Sequence, residues 1–417
     1  MSNIILLGLV SLFTDISTEM IYPILPLYLS AVMGAGPAII GIIEGIAESL
    51  ASIVKLFSGI LADRYGNKKR LAFAGYASSM INKVIILLSV SWAGVLVARI
   101  IDRFGKGIRT APRDALIAES ANRAQLGKAY GMHKGLDLLG TAIGILLAWL
   151  IISGAFDSAI QSITSSSSEL SRYKTIFIVS LVPALIGLSF LAFVKEKNND
   201  FSANRANQCP DNAPASVSYR RNAVPAGSWL KKMGINTRLK LFFIFIFLFT
   251  LGNSSNAFII LRAVDVGFSP VNVVLLYFVY NVTGSLLSYP AGILSDKIGR
   301  KKLLCAGYFL YGIVYLGIAL VSNNTAFAAL FIVYGFYTAL TAGVERALIV
   351  EMVPVENKAG ALGMHSAIVG IGLLPASVIA GFLWQQIGPS APFLFGAVLA
   401  FITSAAVGVI LRKPCEI

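Results

Sequence analysis

The chain has 417 residues, of which 56% are hydrophobic and only 13% are charged, and its formal net charge is +14. A soluble domain carries about a quarter charged residues, so this composition excludes an ordinary soluble enzyme or binding domain. Apolar runs of about twenty residues recur along the chain and predict a polytopic helical membrane protein rather than a membrane β-barrel. The surplus of basic residues lies mainly in alternate short connections, which indicates membrane topology rather than nucleic-acid binding.

Twelve apolar segments predict twelve membrane-spanning helices. They cover residues 4–32, 38–61, 71–90, 93–113, 127–153, 174–194, 239–262, 271–294, 302–321, 325–347, 360–384 and 389–411. Uncharged connections alternate with basic ones, so we expect a multi-pass protein of the cytoplasmic (inner) membrane with both termini in the cytoplasm. The first segment contains Asp15 and Glu19, which favours a retained helix over a cleaved signal peptide.

The segment 195–238 breaks this pattern because it is polar and has no hydrophobic period. Such a composition predicts a flexible cytoplasmic linker. We therefore expect an N-terminal six-helix bundle at residues 1–194 and a C-terminal six-helix bundle at residues 239–417.

An internal repeat relates these two halves. The stretch GILADRYGNKKRL at Gly59 returns as GILSDKIGRKKLL at Gly292, 233 residues later. The stretch AYGMHKGLDLLG at Ala129 returns as ALGMHSAIVGIG at Ala361, 232 residues later. RDALIAES, from residue 113, returns as ERALIVEM at the same spacing of 232. Three matches at nearly one spacing predict a duplicated fold.

The first of these repeats has a glycine, an aspartate four residues later, a second glycine three residues after that, and then a basic cluster. This pattern resembles the loop signature of the major facilitator superfamily, between its second and third helices and again between its eighth and ninth. A general surplus of Lys and Arg in cytoplasmic loops explains the basic pairs but not the matched Gly and Asp. The resemblance implies an all-α membrane protein, with twelve transmembrane helices in two pseudo-symmetric six-helix bundles.

The same resemblance implies conformational gating at these loops, where the aspartate holds the two halves shut on the inside. The gating residues that it implies, together with two charged pairs related by the repeat, are Gly59, Asp63, Arg64, Gly66, Arg113, Asp114, Gly292, Asp296, Gly299, Arg300, Glu345 and Arg346.

Ionisable side chains within the predicted helices are functional candidates, because they are costly inside a bilayer. Asp15 lies about 11 residues into the first helix, roughly 16 Å deep and near the bilayer centre. Arg99 sits where the superfamily's fourth helix usually carries an arginine, which suggests a role in proton coupling. The residues predicted for proton coupling and for the first-half cavity are Asp15, Glu19, Glu44, Glu48, Arg99, His133 and Asp137. The alternative is that these groups pair with one another and only hold helices together.

The second half carries fewer charges within its helices. Its predicted cavity residues are Asn253, Asn256, Asn281 and His365. A lone histidine on an apolar helix is either a hydrogen-bonding core residue or a proton carrier, and His365 keeps both alternatives. Lys83 in the third helix either snorkels to the membrane surface or has a function.

These features predict a secondary active transporter that works by alternating access. The first hypothesis is a proton-coupled antiporter for efflux of a small amphipathic or cationic compound, because acidic side chains in a cavity favour cations. The alternative is a proton-coupled importer of a polar metabolite or siderophore, in which Arg99, Lys55 and Lys134 meet an anionic group. A third hypothesis is a non-transporting receptor or assembly factor, but the sequence contains no large folded appendage.

The expected partners are a small-molecule substrate, protons and the lipid bilayer, with no nucleic acid, and the expected oligomeric state is a monomer. The sequence has no phosphate-binding GxxxxGK[ST] motif and no nucleophile–base set, so we do not expect an enzyme. Its three cysteines are scattered. They predict neither a disulfide framework nor a metal site, and we expect no cofactor.

Overall fold

The computed structural model describes residues 2–65, 68–120, 126–157, 169–194, 237–353 and 358–410. These residues form helices joined by short turns, and the described part of the chain contains no strand. In chain order the helices are α1a (Ser2–Ile21), α1b (Leu25–Ala31), α2 (Pro37–Tyr65), α3 (Lys68–Leu88), α4 (Trp92–Ser120), α5 (Leu126–Ile152), α6 (Glu169–Phe193), α7a (Thr237–Gly252), α7b (Asn256–Asp265), α8 (Pro270–Ile298), α9 (Arg300–Leu320), α10 (Asn324–Glu351), α11 (Lys358–Gln386) and α12 (Ala391–Ile410).

All twelve predicted helices are present among the described residues, which agrees with the all-α fold. Eleven of them are long and apolar enough to cross a membrane. The remaining one, α4, is 29 residues long but is too highly charged to meet the same criterion, and it packs against both α2 and α3. It also extends well beyond the predicted span 93–113, because hydropathy detects only the part of a helix that lies in the apolar layer.

The internal repeat is visible in the helices themselves. Helices α2 and α8 begin at Pro37 and Pro270, which are 233 residues apart. Helices α4 and α10 begin at Trp92 and Asn324, which are 232 residues apart. The first helix of each half is also broken at a corresponding place, residues 22–24 in α1 and residues 253–255 in α7. Repeat and architecture therefore agree at these three pairs of helices.

Each break has a local cause in the sequence. In α1 the proline at position 23 cannot donate a backbone hydrogen bond, and a second proline occupies the first turn of α1b, where proline is well tolerated. In α7 the hydroxyl of Ser255 accepts a hydrogen bond from the backbone N–H of Ala257 at 3.3 Å and caps α7b. Residues of both breaks, Tyr22 in α1 and Asn253, Ser254 and Ser255 in α7, border the second of the two cavities described below.

Helices α2 and α11 make the closest described contact between the halves. Added Cβ atoms at Gly41 and Gly381 would meet the backbone of the opposite helix, so glycine allows the two helix axes to approach. Farther along α2, the hydroxyl of Ser49 donates a hydrogen bond to the carbonyl of Gly370. Further contacts join α1b with α7b and α5 with α8. Helices 1, 2 and 5 thus meet helices 7, 8 and 11.

Two parts of the sequence-based expectation fall outside the described residues. The predicted linker is one, because residues 195–236 are not described, and the bundle boundaries therefore stay predictions. The other is part of the loop signature: Gly66 is not described, and neither are the side chains of Asp63, Arg64 and Asp296. Gly299 is described, and its φ of 95° at the turn between α8 and α9 is a left-handed conformation that favours glycine.

Candidate functional site

Two ion pairs join α2 to α4. One Nη of Arg99 lies 2.7 and 2.6 Å from the two carboxylate oxygens of Glu44. One turn further along both helices, Arg103 lies 2.9 Å from Glu48. Both arginines also face the ring of Tyr22, at 5.7 and 5.9 Å from its centroid, within the range of a cation–π contact. The structure thus places Glu44, Glu48 and Arg99 in the pairing arrangement that the sequence left as an alternative.

A second polar cluster lies behind these pairs, between α3 and α4. Ser79 donates a hydrogen bond to Asp102 at 2.8 Å, and the ammonium of Lys83 donates to the Ser79 carbonyl at 3.1 Å. Lys83 is only 1% exposed. The snorkelling alternative for Lys83 is therefore wrong, because its side chain turns inward toward a carboxylate and does not reach the membrane surface.

A cavity of about 360 Å³, which we call the charged cavity, is bounded by α1a, α2, α4 and α5. Asp15 and Glu19 lie one helical turn apart on α1a and both line it, as expected for residues on one helix face. Helix α5 approaches α1a closely because Gly140 packs against Leu12 and Asp15. The ionisable side chains that line the charged cavity are Asp15, Glu19, Glu48, Lys55, Lys106, Arg109, Arg113 and Asp137.

Five of these groups differ from the others. Among the described residues they make no ion pair and no side-chain hydrogen bond: Asp15, Glu19, Lys55, Lys106 and Arg109. Arg109 lies over the ring of Tyr76, 4.4 Å from its centroid. By contrast, Glu48 is paired with Arg103. Charged groups without an ion-pair partner are available to bind a proton or an ionised solute, and the candidates are the carboxylates of Asp15 and Glu19 and the ammonium groups of Lys55 and Lys106.

A second cavity, of about 350 Å³, lies mainly in the second half, and we call it the tyrosine cavity. Tyr280 and Tyr334 stack with ring centroids 4.8 Å apart, and Tyr334 stacks on Tyr337 at 5.5 Å. Phe249 also lines this wall. Glu48 borders both cavities, so the charged and aromatic surfaces meet at one carboxylate.

The amides predicted for the second half take two different positions. Asn253 and Asn256 line the tyrosine cavity, and the Asn256 side chain accepts a hydrogen bond from Tyr334 at 3.0 Å. Asn281 instead donates to the carbonyl of Tyr277 on its own helix at 2.9 Å, and it is not among the residues that border either cavity. Asn253 and Asn256 therefore remain candidates for contact with a solute, and Asn281 is the weaker one.

The two histidines related by the repeat both lie near a carboxylate. The Nε2 of His365 is 2.6 Å from Glu345, and this pair lines the tyrosine cavity. The Nδ1 of His133 is 3.7 Å from Asp137, one turn away on the same helix. Only the first pair joins two helices, α10 and α11, and only it combines a short hydrogen bond with a cavity wall.

The described contacts of the charged residues proposed for gating lie within their own halves. The guanidinium of Arg113 is 2.9 Å from its neighbour Asp114. Glu345 faces His365. Arg300 reaches Glu351 on α10 at 3.2 Å. Pairing across the halves was predicted for the outward-open conformation, and these contacts do not test it, so that latch stays a prediction.

Sequence reasoning omitted several residues that the structure brings to the cavities. Lys106 and Arg109 continue the helical spacing that begins at Arg99 and Arg103, so the period of α4 contained a signal for them. The tyrosines of α9 and α10 recur at helical intervals, but such a stripe equally fits a packed core. No group of three His, Cys, Asp or Glu side chains in the described ranges is arranged to hold a metal ion.

Comparisons with known proteins agree with this architecture. The sequence model of the Major Facilitator Superfamily matches residues 7–250 and 241–414. An uncharacterised MFS-type transporter of Methanocaldococcus jannaschii is 36% identical over 410 residues, which cover 96% of this chain and 93% of the relative. The quinolone resistance protein NorA of Staphylococcus aureus is 26% identical over 153 residues, which cover 36% of this chain and 38% of that protein.

Among solved structures, the nucleoside transporter NupG superposes with a TM-score of 0.75 and 14% identity, covering 99% of this chain and 100% of that one. This likeness concerns the fold alone, and it agrees with two six-helix halves. Multiple membrane-spanning helices require a lipid environment, and transporters of this fold act on small molecules. The chain belongs to the Major Facilitator Superfamily and is a secondary transporter.

Proposed function

We propose that this transporter is a proton-coupled antiporter that exports a small amphipathic compound. The observation that carries the proposal is the pair Asp15 and Glu19, two carboxylates that line a membrane cavity without an ion-pair partner among the described residues. A buried carboxylate that binds and releases a proton changes its charge, and that change biases which side of a transporter is open. Glu44 and Glu48 contribute differently, because their arginine partners already neutralise them.

The cavities also support a solute of small-molecule size. Each has a volume of about 350–360 Å³, within the range that small-molecule sites occupy. One wall is charged and the other is aromatic, which suits an amphipathic compound. The four basic side chains beside four acidic ones reduce the preference for a purely cationic cargo that the carboxylates alone would give.

The proposal also includes the orientation of the protein in the membrane, its location and its oligomeric state. The contact between Pro37 and Gly381 lies beside uncharged connections, whereas the basic connections lie at the other ends of these helices. With basic loops in the cytoplasm, this conformation has its outer side closed and its cavities accessible from the cytoplasm. We propose that both termini lie in the cytoplasm, that the protein is located in the cytoplasmic (inner) membrane, and that it is a monomer. Labelling of an engineered cysteine at Ser322 from outside intact cells tests the topology.

The experiment uses inside-out vesicles that carry the protein and an internal acidity indicator. After respiration has acidified the interior, addition of at least one compound from a panel of amphipathic cations and zwitterions should release protons when the wild-type protein is present. Vesicles with the Asp15→Asn variant should show no release, and vesicles with Lys240→Gln, at an exposed position on α7a, should behave as the wild type does. Antiport is rejected if no compound from an amphipathic panel produces release that depends on Asp15.

The second candidate is proton-coupled import of a polar, anionic metabolite. The specific observation in its favour is the set of basic side chains in the charged cavity, above all Lys55 and Lys106. Of the cations first assigned to this role, Arg99 fits less well because it is held by Glu44. The side chain of Lys134 lies outside the described residues. Right-side-out vesicles distinguish the two candidates: uptake driven by an inward proton gradient, without proton release in the exchange direction, supports import.

A further inference from the structure

The two halves carry different chemistry at positions that the repeat makes equivalent. Asp102 on α4 corresponds to Tyr334 on α10, and Lys83 on α3 corresponds to Tyr315 on α9, each 232 residues later. Glu44 corresponds to Tyr277 on α8, 233 residues later. One scaffold thus carries ionised groups in the first half and aromatic rings in the second. Of these six residues only Tyr334 lines one of the two cavities. The same contrast is present on the cavity surfaces, where Asp15, Glu19 and Lys106 lie in the first half and Tyr280, Tyr334 and Tyr337 lie in the second.

The aromatic wall is shaped to hold a flat group. The rings of Tyr280, Tyr334 and Tyr337 form a stacked row, with interplanar angles of 23° and 19° between successive rings. Asn253 and Asn256 place amide groups at the edge of the same cavity. Aromatic rings bind other rings by offset stacking or edge contacts, and neighbouring amides hydrogen-bond to polar atoms at a ring's edge.

The charged wall offers groups of both signs that are not neutralised at short range. The carboxylates of Asp15 and Glu19 project from α1a, and the ammonium of Lys106 projects from α4 into the same cavity. A solute with a single charge satisfies only one side of this arrangement. A zwitterion satisfies both sides, since its cation faces the carboxylates and its anion faces the ammonium.

We infer that the transported solute is an aromatic zwitterion, a planar ring joined to a positive and a negative group, with the ring on the tyrosine wall and the charged groups in the charged cavity. Glu48, which borders both cavities, marks the junction between the two parts of the solute. This inference rests on the proposed transport function and gives it a substrate class. It also provides a route to antiport, because the solute's cation and a proton compete for Asp15 and Glu19.

The test is a binding panel on the purified full-length protein, measured by calorimetry and by thermal stabilisation. Tryptophan is the zwitterion, tryptamine keeps only its cation, indole-3-propionate keeps only its anion, and alanine lacks the ring. Norfloxacin, with its methyl ester as the cation-only partner, repeats the comparison on a larger ring. We expect the zwitterion of at least one ring series to bind about tenfold more tightly than its singly charged analogues, since a charge-assisted contact contributes this much. Equal or tighter binding of the singly charged analogues in both series, or no binding in either, overturns the inference.

Variants test which residues bind the anion and the ring of the solute. The Lys106→Gln change should weaken binding of the zwitterion about tenfold and leave binding of the cation-only analogue unchanged, because that analogue has no anion to lose. An equal loss for both ligands overturns the assignment of Lys106. The Tyr337→Leu change should weaken both ring ligands, and Tyr289→Leu, at a position that is 78% exposed, is its matched control.

The proton-release assay under the proposed function is independent of this panel. Proton release that depends on Asp15 without any preference for zwitterions rejects the substrate class and leaves antiport standing. A preference for zwitterions without proton release rejects antiport and leaves the substrate class standing.

Discussion

The contact between α2 and α11 offers a direct test of how the transporter closes on the side that we propose faces outward. A methyl group added at Gly381 would lie 2.7 Å from the carbonyl oxygen of Pro37 and 2.8 Å from the Cα of Ala38. Both are backbone atoms, so no side-chain rotation relieves the clash. Gly381→Ala should therefore disfavour the closed arrangement of these helices, and the opposite conformation should gain population.

The size of this shift follows from the usual cost of overpacking. An extra methyl group in a closely packed contact costs about 1–3 kcal/mol, and about 1.4 kcal/mol changes an equilibrium tenfold. The ratio of outer-closed to outer-open molecules should thus fall by roughly 5- to 150-fold. Alanine also raises helix propensity by about 1 kcal/mol, but α11 is a helix in both conformations, so this gain cancels in the comparison.

Spin-label distances provide the measurement. Labels at Val32 and Ile387, which are 40% and 73% exposed, lie at the ends of α1b and α11, and the background replaces the three native cysteines. The Gly381→Ala variant should gain a longer distance component. Gly343→Ala on α10 is the matched control, because an added methyl group there meets nothing within 4 Å. If both variants show the same distances as the parent protein, close packing of α2 on α11 does not set the conformational equilibrium.

Three further predictions concern charged residues. Asp15→Asn should abolish coupled transport but leave membrane insertion intact, because the amide keeps the shape and removes the titrating group; proton-driven transport at the normal rate would exclude Asp15 from the mechanism. Asp114→Arg and Arg346→Glu should each slow transport several-fold. If the two residues pair across the halves in the outward-open state, the double variant should recover the transport rate, and no recovery would reject the latch. Asp63→Asn should raise the inward-open population several-fold and more than Asp296→Asn does, since an anion at a helix start contributes about 0.3–1 kcal/mol; unchanged label distances between the cytoplasmic ends of helices 2 and 11 would make Asp63 only structural.

The fold was predictable because its signals are long and repeated. Apolar runs predict helices that cross the bilayer, and a repeat with a spacing of 232–233 residues indicates two copies of one bundle. The breaks in α1 and α7 could also be anticipated, from the prolines in the first helix and the run of polar residues in the seventh. The ends of the helices were harder to predict from the sequence, because charged extensions such as the last turns of α4 continue beyond the apolar layer that hydropathy detects.

The site was only partly predictable, because a sequence shows which groups are ionisable but not which of them neutralise one another. Asp15 and Glu44 have the same character in the sequence, yet Glu44 is held by Arg99 and Asp15 lines a cavity without an ion pair among the described residues. Partner choice depends on how α2, α4 and α1a are rotated about their axes. Lys83 illustrates the same point, since only packing decides whether a lysine on an outer helix turns toward lipid or inward.

The distribution of strong and weak contacts bears on how the two halves move. The buried ion pair Glu44–Arg99 and the partly exposed pair Glu48–Arg103 lie within the first half, and breaking a buried pair costs about 3–5 kcal/mol. The contacts described across the halves are hydrogen bonds rather than ion pairs, such as the hydroxyl of Ser49 on a backbone carbonyl and that of Ser255 on Glu44 at 3.4 Å. Motion that keeps each half intact and exchanges only the weak contacts is therefore the least costly route between conformations. Under the proposed function, binding of a proton or solute at Asp15 would change the charge of the cavity without breaking the buried Glu44–Arg99 pair, and the change would then act on the weaker contacts between the halves.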